Sequence, residues 1–199
     1  MNPFIVADPG IELAVRLRLA CEAHEAELGS HLSNVSRCTV ELARHIGLPE
    51  ETLRLLHFAA PLHDLGKIGI PLEVLRRPGP LTDEEMDTVK EHTLVGYRIL
   101  DGSPWPVIQC AARIALSHHE AWDGSGYPHG LAGEDIPLEA RLCTIADIYD
   151  ALRSRRCYKS PWPEMAVIEE LRRLSGTKFE PRLLDAFLEL IPQLEVSAA

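Results

Sequence analysis

Apolar residues recur along this chain at helical spacing almost everywhere. Leu13, Leu17 and Ala20 begin one stripe; Leu32, Val35, Cys38, Leu42 and Ile46 continue the pattern after a break expected at Gly29-Ser30. The stretch GLPEETLRLLHFAAPLHDLGKIGI predicts a helix opened by Pro49 and an acidic first turn, kinked at Pro61 and closed near Gly66 or Gly69. In LTDEEMDTVKEHTLVGYRIL, Thr82 stands three residues before Glu85, the spacing of a capping box, which fixes a helix start. Another helix is predicted in PWPVIQCAARIALSHHE after the turn at Pro104 and Pro106. The glycines, prolines and aspartates of DGSGYPHGLAGEDIP predict a loop, and helices resume in PLEARLCTIADIYDALRS, EMAVIEELRRL and PRLLDAFLELI. No strand pair, repeat or low-complexity linker emerges, so the predicted fold class is all-α, a helical bundle forming a single domain.

The length of 199 residues, 46% of them hydrophobic and 25% charged, suits one globular domain with a sizeable core. At the N-terminus Asp8, Glu12, Arg16 and Arg18 interrupt the apolar run, so no export signal is expected. No apolar stretch reaches the roughly 18 to 20 residues of a membrane helix, and the expected setting is the cytoplasm, without membrane association. None of the five cysteines (Cys21, Cys38, Cys110, Cys143, Cys157) falls in a CxxC pair, which predicts reduced, mostly buried thiols. A net charge of -10 argues against DNA or RNA polymers as partners, so an anionic substrate needs positive charge confined to its pocket.

The stretch HDLGKIGIP, residues 63 to 71, places His63, Asp64 and Lys67 in an apolar context. A buried charge costs several kcal/mol unless something pairs with it, so either the segment is exposed or an ion neutralises it. His31, His92, the pair His118-His119 and Asp147 likewise interrupt or border apolar helical faces. Five helices packed as one bundle bring such side chains to one place, as in helical di-metal proteins. Imidazole and carboxylate without thiolate suit iron, manganese, zinc or nickel better than copper(I), and the oxygen donors favour manganese or iron(II). Asp64 has two oxygens with which to bridge a pair of ions; Lys67, four residues after His63, is expected on the same helical face.

Three stretches in order, HDLGKIGIPLEVLRRPGPLTDEE, HHEAWDGSGYPHGLAGEDIPLEARL and ADIYDALRSRRCYK, resemble the HD-GYP branch of the HD-domain phosphohydrolases. The HD pair falls at His63-Asp64 and the GYP at Gly126-Tyr127-Pro128, and the likeness runs from about His31 to Phe187. It implies an HD-domain helical bundle, with residues 29–199 as one catalytic unit behind an N-terminal segment and helix at 1–28. It implies a metal-dependent phosphodiesterase that hydrolyses cyclic di-GMP to pGpG, GMP or both through a metal-bridging hydroxide.

By the same resemblance the metal ligands are His31, His63, Asp64, His92, His118, His119 and Asp147, with two or three divalent ions, iron or manganese. Glu27 stands where some members hold a third ion; the other reading is a solvated acid beside Glu22 and Glu25. Asp64 and Lys67 are the expected catalytic residues, and Lys67, Tyr127, Arg156 and Lys159 the substrate-binding ones, with Arg155 an ordinary solvated arginine. Where the family has DALTSxRPYK this chain has DALRSRRCYK: Arg153 adds charge near the site mouth and Cys157 loosens the turn before Tyr158.

The Gly126-Tyr127-Pro128 segment is either a stiffened loop or a frame for the substrate entrance and a docking point for a diguanylate cyclase, with Asp123 capping its own turn. The helix before His31 is either a homodimer contact or a lid on the core. The alternatives to the main function are a catalytically weak cyclic-dinucleotide-binding or protein-interaction module, and a hydrolase of another cyclic dinucleotide such as cyclic GMP-AMP.

Overall fold

A computed structural model describes residues 8–24, 28–154 and 162–196. Along these the chain forms α1 (Pro9–His24), α2 (Leu28–His45), α3 (Glu50–Ala59), α4 (Leu72–Leu75), α5 (Asp83–Lys90), α6 (His92–Leu100), α7 (Pro106–Ser117), α8 (Leu138–Arg153), α9 (Glu164–Arg173) and α10 (Pro181–Val196). Among the described residues there are no strands, only two isolated bridges, Asp123 with Ala132 and Ser175 with Phe179, and the all-α expectation holds.

The core centres on the buried side of α2: Leu32, Val35, Cys38 and Leu42 are sequestered, as their spacing predicts, with Ala43 beside them, whereas Ile46 of the predicted stripe is half-buried. Against this side pack α3, α8 and α10, while α7 joins α3 to α8 and α6 covers α7. On α1 the buried face is Gly10, Ile11, Ala14 and Cys21, whereas Leu13 and Ala20 face outward, so the stripe predicted there is rotated. Gly10 explains the rotation: a Cβ on it would stand 2.7 Å from the Cβ of Trp105, so its bare face is the one that docks at the start of α7. The break expected at Gly29-Ser30 is absent, because both residues lie in the first turn of α2.

The long helix predicted up to Gly66 ends instead at Ala59 and tightens into two 3₁₀ segments, Ala60–Leu62 and Leu65–Gly69. Pro61 has no N–H to give the carbonyl four residues back, His57 O, and the Ser36 hydroxyl of α2 donates to that oxygen at 2.8 Å instead. His63 and Asp64 occupy the joint between the two segments. Thr82 and Glu85 make both hydrogen bonds of the capping box and start α5, but the chain breaks at Glu91 and restarts as α6 with His92 in its first position. Pro106 opens α7 at its first helical position, and the pair His118-His119 follows its end.

Candidate metal centre

Five places in the fold supply the donors: the first turn of α2 (His31), the 3₁₀ joint (His63, Asp64), the start of α6 (His92), the end of α7 (His118, His119) and the middle of α8 (Asp147). They form two groups, Asp64 with His92, His118 and His119, and His31 with His63 and Asp147, the donor atoms of each lying within 4.8 Å of one another. Asp64 lies between the groups, its Oδ1 at 3.4 Å from His92 Nε2 and 3.7 Å from His118 Nε2, its Oδ2 at 3.4 Å from His63 Nε2. On the other side His31 Nε2 stands 3.4 Å and His63 Nε2 3.9 Å from Asp147 Oδ1. Thus all seven ligand candidates of the described chain meet, although they span 117 positions of sequence from 31 to 147. Glu27, Arg156 and Lys159, with Arg155 and Cys157, lie outside the described residues.

The imidazoles are held with one nitrogen outward and the other in. Nδ1 of His63 donates to Ala60 O (2.9 Å), that of His92 to Val89 O (2.6 Å), and that of His118 to Ile114 O (3.0 Å). In the neutral ring each Nε2 is thereby left with a lone pair aimed at the pocket. The His63 Nε2 is fully buried and has no hydrogen-bond partner, and His92 Nε2 faces His118 Nε2 at 3.4 Å, neither offering the other a proton. Two donors each about 2.1 Å from one ion stand about 3.0–3.4 Å apart, close to the separations seen here. The residues fit divalent cations.

Asp64 shows the same bias. It sits at the N-cap of the second 3₁₀ segment, where an aspartate usually accepts from the next turn, yet its side chain makes no capping bond and faces the histidines. Lys67 does not share a helical face with His63, since the α-helix has already ended; its Nζ turns back to Asp64 Oδ2 at 2.6 Å. Burial opposes the charge on Asp64, but Lys67 and His63 hold its carboxyl well below the usual range. Burial likewise opposes a proton on His63, but Asp64 and Asp147 outweigh it and lift that group to about 9 without an ion. His92 is pushed down to about 4 chiefly by burial, and His119 is pushed down by burial and by its neighbours His118 and His92.

The Gly126-Tyr127-Pro128 loop forms one wall. The Tyr127 ring stacks on the His119 ring with centroids 4.7 Å apart at 25°, and Lys90 Nζ lies 5.9 Å from the Tyr127 centroid. Gly126 is required by space: a Cβ there would stand 2.3 Å from Ala121 N and 2.5 Å from Glu120 Cα. The Tyr127-Pro128 peptide is cis, and Asp123 Oδ1 accepts from the Ser125 amide and hydroxyl, capping its turn as expected. Arg153 lies over the Tyr149 ring and bonds its hydroxyl.

Three residues that the sequence reading missed complete the site. Asp150, 5% exposed, accepts from His31 Nδ1 at 2.7 Å; the signal was present, three residues after Asp147 on one helix. Glu120, 2% exposed, accepts from the amides of His129 (2.8 Å) and Leu131 (3.0 Å), tying the loop to the end of α7. Lys178 donates to the carbonyls of His119 and Glu120 at 2.9 and 3.0 Å from 58 residues or more away, a contact that no local pattern announces.

A family model described as HD domain matches residues 17–183. The cyclic di-GMP phosphodiesterase response regulator RpfG of Xanthomonas campestris pv. campestris is 47% identical over 184 residues, covering 92% of this chain and 49% of that protein. The 3'3'-cGAMP-specific phosphodiesterase 2 of Vibrio cholerae is 42% identical over 178 residues, 89% of this chain and 34% of that protein. The chain therefore spans about half the length of these curated relatives, or less. Among solved structures, the cyclic GMP-AMP-specific phosphodiesterase V-cGAP3 of V. cholerae superposes with a TM-score of 0.65 at 21% identity, over 92% of this chain and 49% of that one, a likeness of fold. With the family match running through every donor of the pocket, this chain belongs to the HD-domain family.

Proposed function

We propose that the chain is a metal-dependent cyclic-dinucleotide phosphodiesterase that hydrolyses cyclic di-GMP to pGpG, GMP or both. The observation that carries this reading is the convergence of seven imidazole and carboxylate donors around the buried, unpartnered His63 Nε2. The 47% identity to a relative named a cyclic di-GMP phosphodiesterase supports the substrate.

Hard oxygen and imidazole donors without thiolate support iron or manganese as the resident ions. His31, His63, Asp64, His92, His118, His119 and Asp147 would hold two of them, with Glu27 assigned to a third. Bound there, such ions supply Lewis acidity to a phosphoryl oxygen and to water near neutral pH. Hydrolysis adds water at one phosphorus and breaks its bond to the 3'-oxygen, which leaves with a proton. Lys67 contributes its ammonium at the edge of Asp64, where charge grows on the phosphoryl oxygens; Arg156 and Lys159 are assigned to the substrate phosphates. Tyr127, braced on His119, offers its ring to the substrate.

A second reading, a cyclic GMP-AMP hydrolase, is supported by the 42% identity to a relative named as specific for that compound. The Gly126-Tyr127-Pro128 loop, half-exposed beside exposed His129 and Gly130, is assigned to docking of a diguanylate cyclase, and exposed Leu13, Val15 and Leu19 on α1 to a homodimer contact; pull-down and sedimentation test the two.

The deciding experiment is turnover of cyclic di-GMP and cyclic GMP-AMP side by side, using anaerobically purified protein of measured metal content. Asp64→Ala is expected to abolish turnover; unchanged turnover refutes the mechanism. Binding without hydrolysis by metal-replete protein replaces it with a binding module.

A further inference from the structure

His31 differs from His63, His92 and His118 in what stands behind it. Nδ1 of His63, His92 and His118 each meets a neutral backbone carbonyl, whereas Nδ1 of His31 meets the carboxylate of Asp150 at 2.7 Å. That carboxylate is buried and held on both oxygens: Asn34 Nδ2 donates to Oδ1 at 2.8 Å and the Ser154 hydroxyl to Oδ2 at 2.9 Å. Asp147 and Asp150, three apart on α8, share a face and bracket the imidazole, one carboxylate at each nitrogen. The other group has only Asp64, which it shares: Oδ1 faces His92, Oδ2 faces His63, and the Lys67 ammonium matches it on Oδ2 at 2.6 Å.

We infer that Asp150 makes the two donor groups unequal, so that the His31, His63 and Asp147 group holds its cation more tightly than the Asp64, His92, His118 and His119 group. The inference rests on the reading of both groups as metal sites. A carboxylate behind an imidazole fixes its tautomer and makes its free nitrogen a stronger donor. It also adds negative charge where water is excluded and attraction to a divalent ion is little screened. Asp64, which lies between the groups, is cancelled by Lys67 and favours neither, so the fixed charge that distinguishes them is the -2 of Asp147 and Asp150 around the first group. The second group has one more imidazole, but a neutral ligand adds no charge. Asp150 is on this account a positioning residue, acting through His31.

The test is titration of the metal-free full chain with Mn²⁺, followed by calorimetry and electron paramagnetic resonance, with His31→Ala and His92→Ala assigning the steps to the two groups. The wild type is expected to bind in a tight and a weak step. Asp150→Asn, nearly isosteric, weakens the tight step 10- to 100-fold and leaves the weak one in place. Asp150→Glu recovers part of the loss. Should Asp150→Asn fail to fold by circular dichroism, Asn34→Ala, which loosens the carboxylate without removing it, is expected to weaken the tight step alone. A tight step unmoved by these variants, or both steps weakened alike, overturns the inference while the metal reading stands. A wild type that takes up no ion overturns both.

Discussion

Adding one methyl group at Gly66 is expected to disable the pocket without altering any of its donors. A Cβ built there stands 1.9 Å from the His92 carbonyl oxygen, 2.4 Å from the Gly96 amide nitrogen and 2.8 Å from the His92 carbonyl carbon. Ordinary contact begins at 3.4 Å, so the 3₁₀ segment and α6 must separate by the difference, about 1.5 Å. All three obstacles are backbone atoms, and no side-chain rotation relieves them. Asp64 lies two residues before Gly66 and His92 starts α6, so the separation falls on a donor pair now 3.4 Å apart. Ligand distances tolerate only about 0.2 Å.

Overpacking costs about 1–3 kcal/mol, and a backbone collision puts Gly66→Ala at the upper end, about 3 kcal/mol. For a chain of this size that lowers the melting temperature by about 6–12 °C. Gly69→Ala is the internal control: its Cβ meets a side-chain methyl, Val95 Cγ1 at 2.9 Å, and no backbone atom, at a cost of about 1 kcal/mol. Calorimetric unfolding of the metal-free variants, with Mn²⁺ uptake measured alongside, reads both effects. A Gly66→Ala protein that melts with the wild type, or no lower than Gly69→Ala, and takes up ions normally refutes the reasoning.

Replacing the two-amide acceptor by an amide in Glu120→Gln sets one backbone N–H against an NH₂ group, releasing the loop at a cost of about 1–3 kcal/mol; steady-state kinetics is expected to show a raised KM with metal content unchanged. Tyr127→Phe keeps the stack on His119 and is expected to turn over within a few-fold of the wild type, whereas Tyr127→Ala loses the stack and at least about tenfold in kcat/KM, about 1.4 kcal/mol. Without an ion His63 keeps its proton up to about pH 9, and a cation requires its Nε2 bare; ion uptake at pH 7.5 therefore releases that proton, read by calorimetry in buffers of different ionisation enthalpy. With its folded value raised from 6.5, the same histidine stabilises metal-free protein fully below pH 6.5 and ceases to as pH rises through about 9, whereas His92, lowered to about 4, loses stability as pH falls from 6.5 through 4; melting temperatures of chelated protein across both windows check the two signs.

Helix existence was legible because it depends on periodicity: α2, α7 and α8 bury the residues their spacing marks. What the spacing could not convey is where backbone hydrogen bonding changes hands. Pro61 promised a kink, but the helix ends there, because the Ser36 hydroxyl on another helix satisfies the carbonyl that Pro61 leaves bare. The rotation of α1 depends on Trp105 meeting Gly10, a contact across nearly half the chain. In the site, donors were readable as polar interruptions of apolar faces, since burying them without a purpose is costly. Their supports were not: the Ala60, Val89 and Ile114 carbonyls belong to residues whose side chains say nothing, and Glu120, the last residue of a predicted helix, gave no sign of the two loop amides it accepts from.

The meeting of His31 with Asp147 and Asp150 sets an order on biosynthesis. A ribosome that has delivered His31 must add 116 further residues to reach Asp147 and three more to reach Asp150. Until α8 emerges, the nascent chain carries His31 and His63 with no carboxylate from α8 to close around an ion, and any cation caught by the early histidines is exchangeable. On the metal reading, closure of the His31 group waits for α8, and a product truncated before α8 retains six of the seven donors yet lacks Asp147 and Asp150.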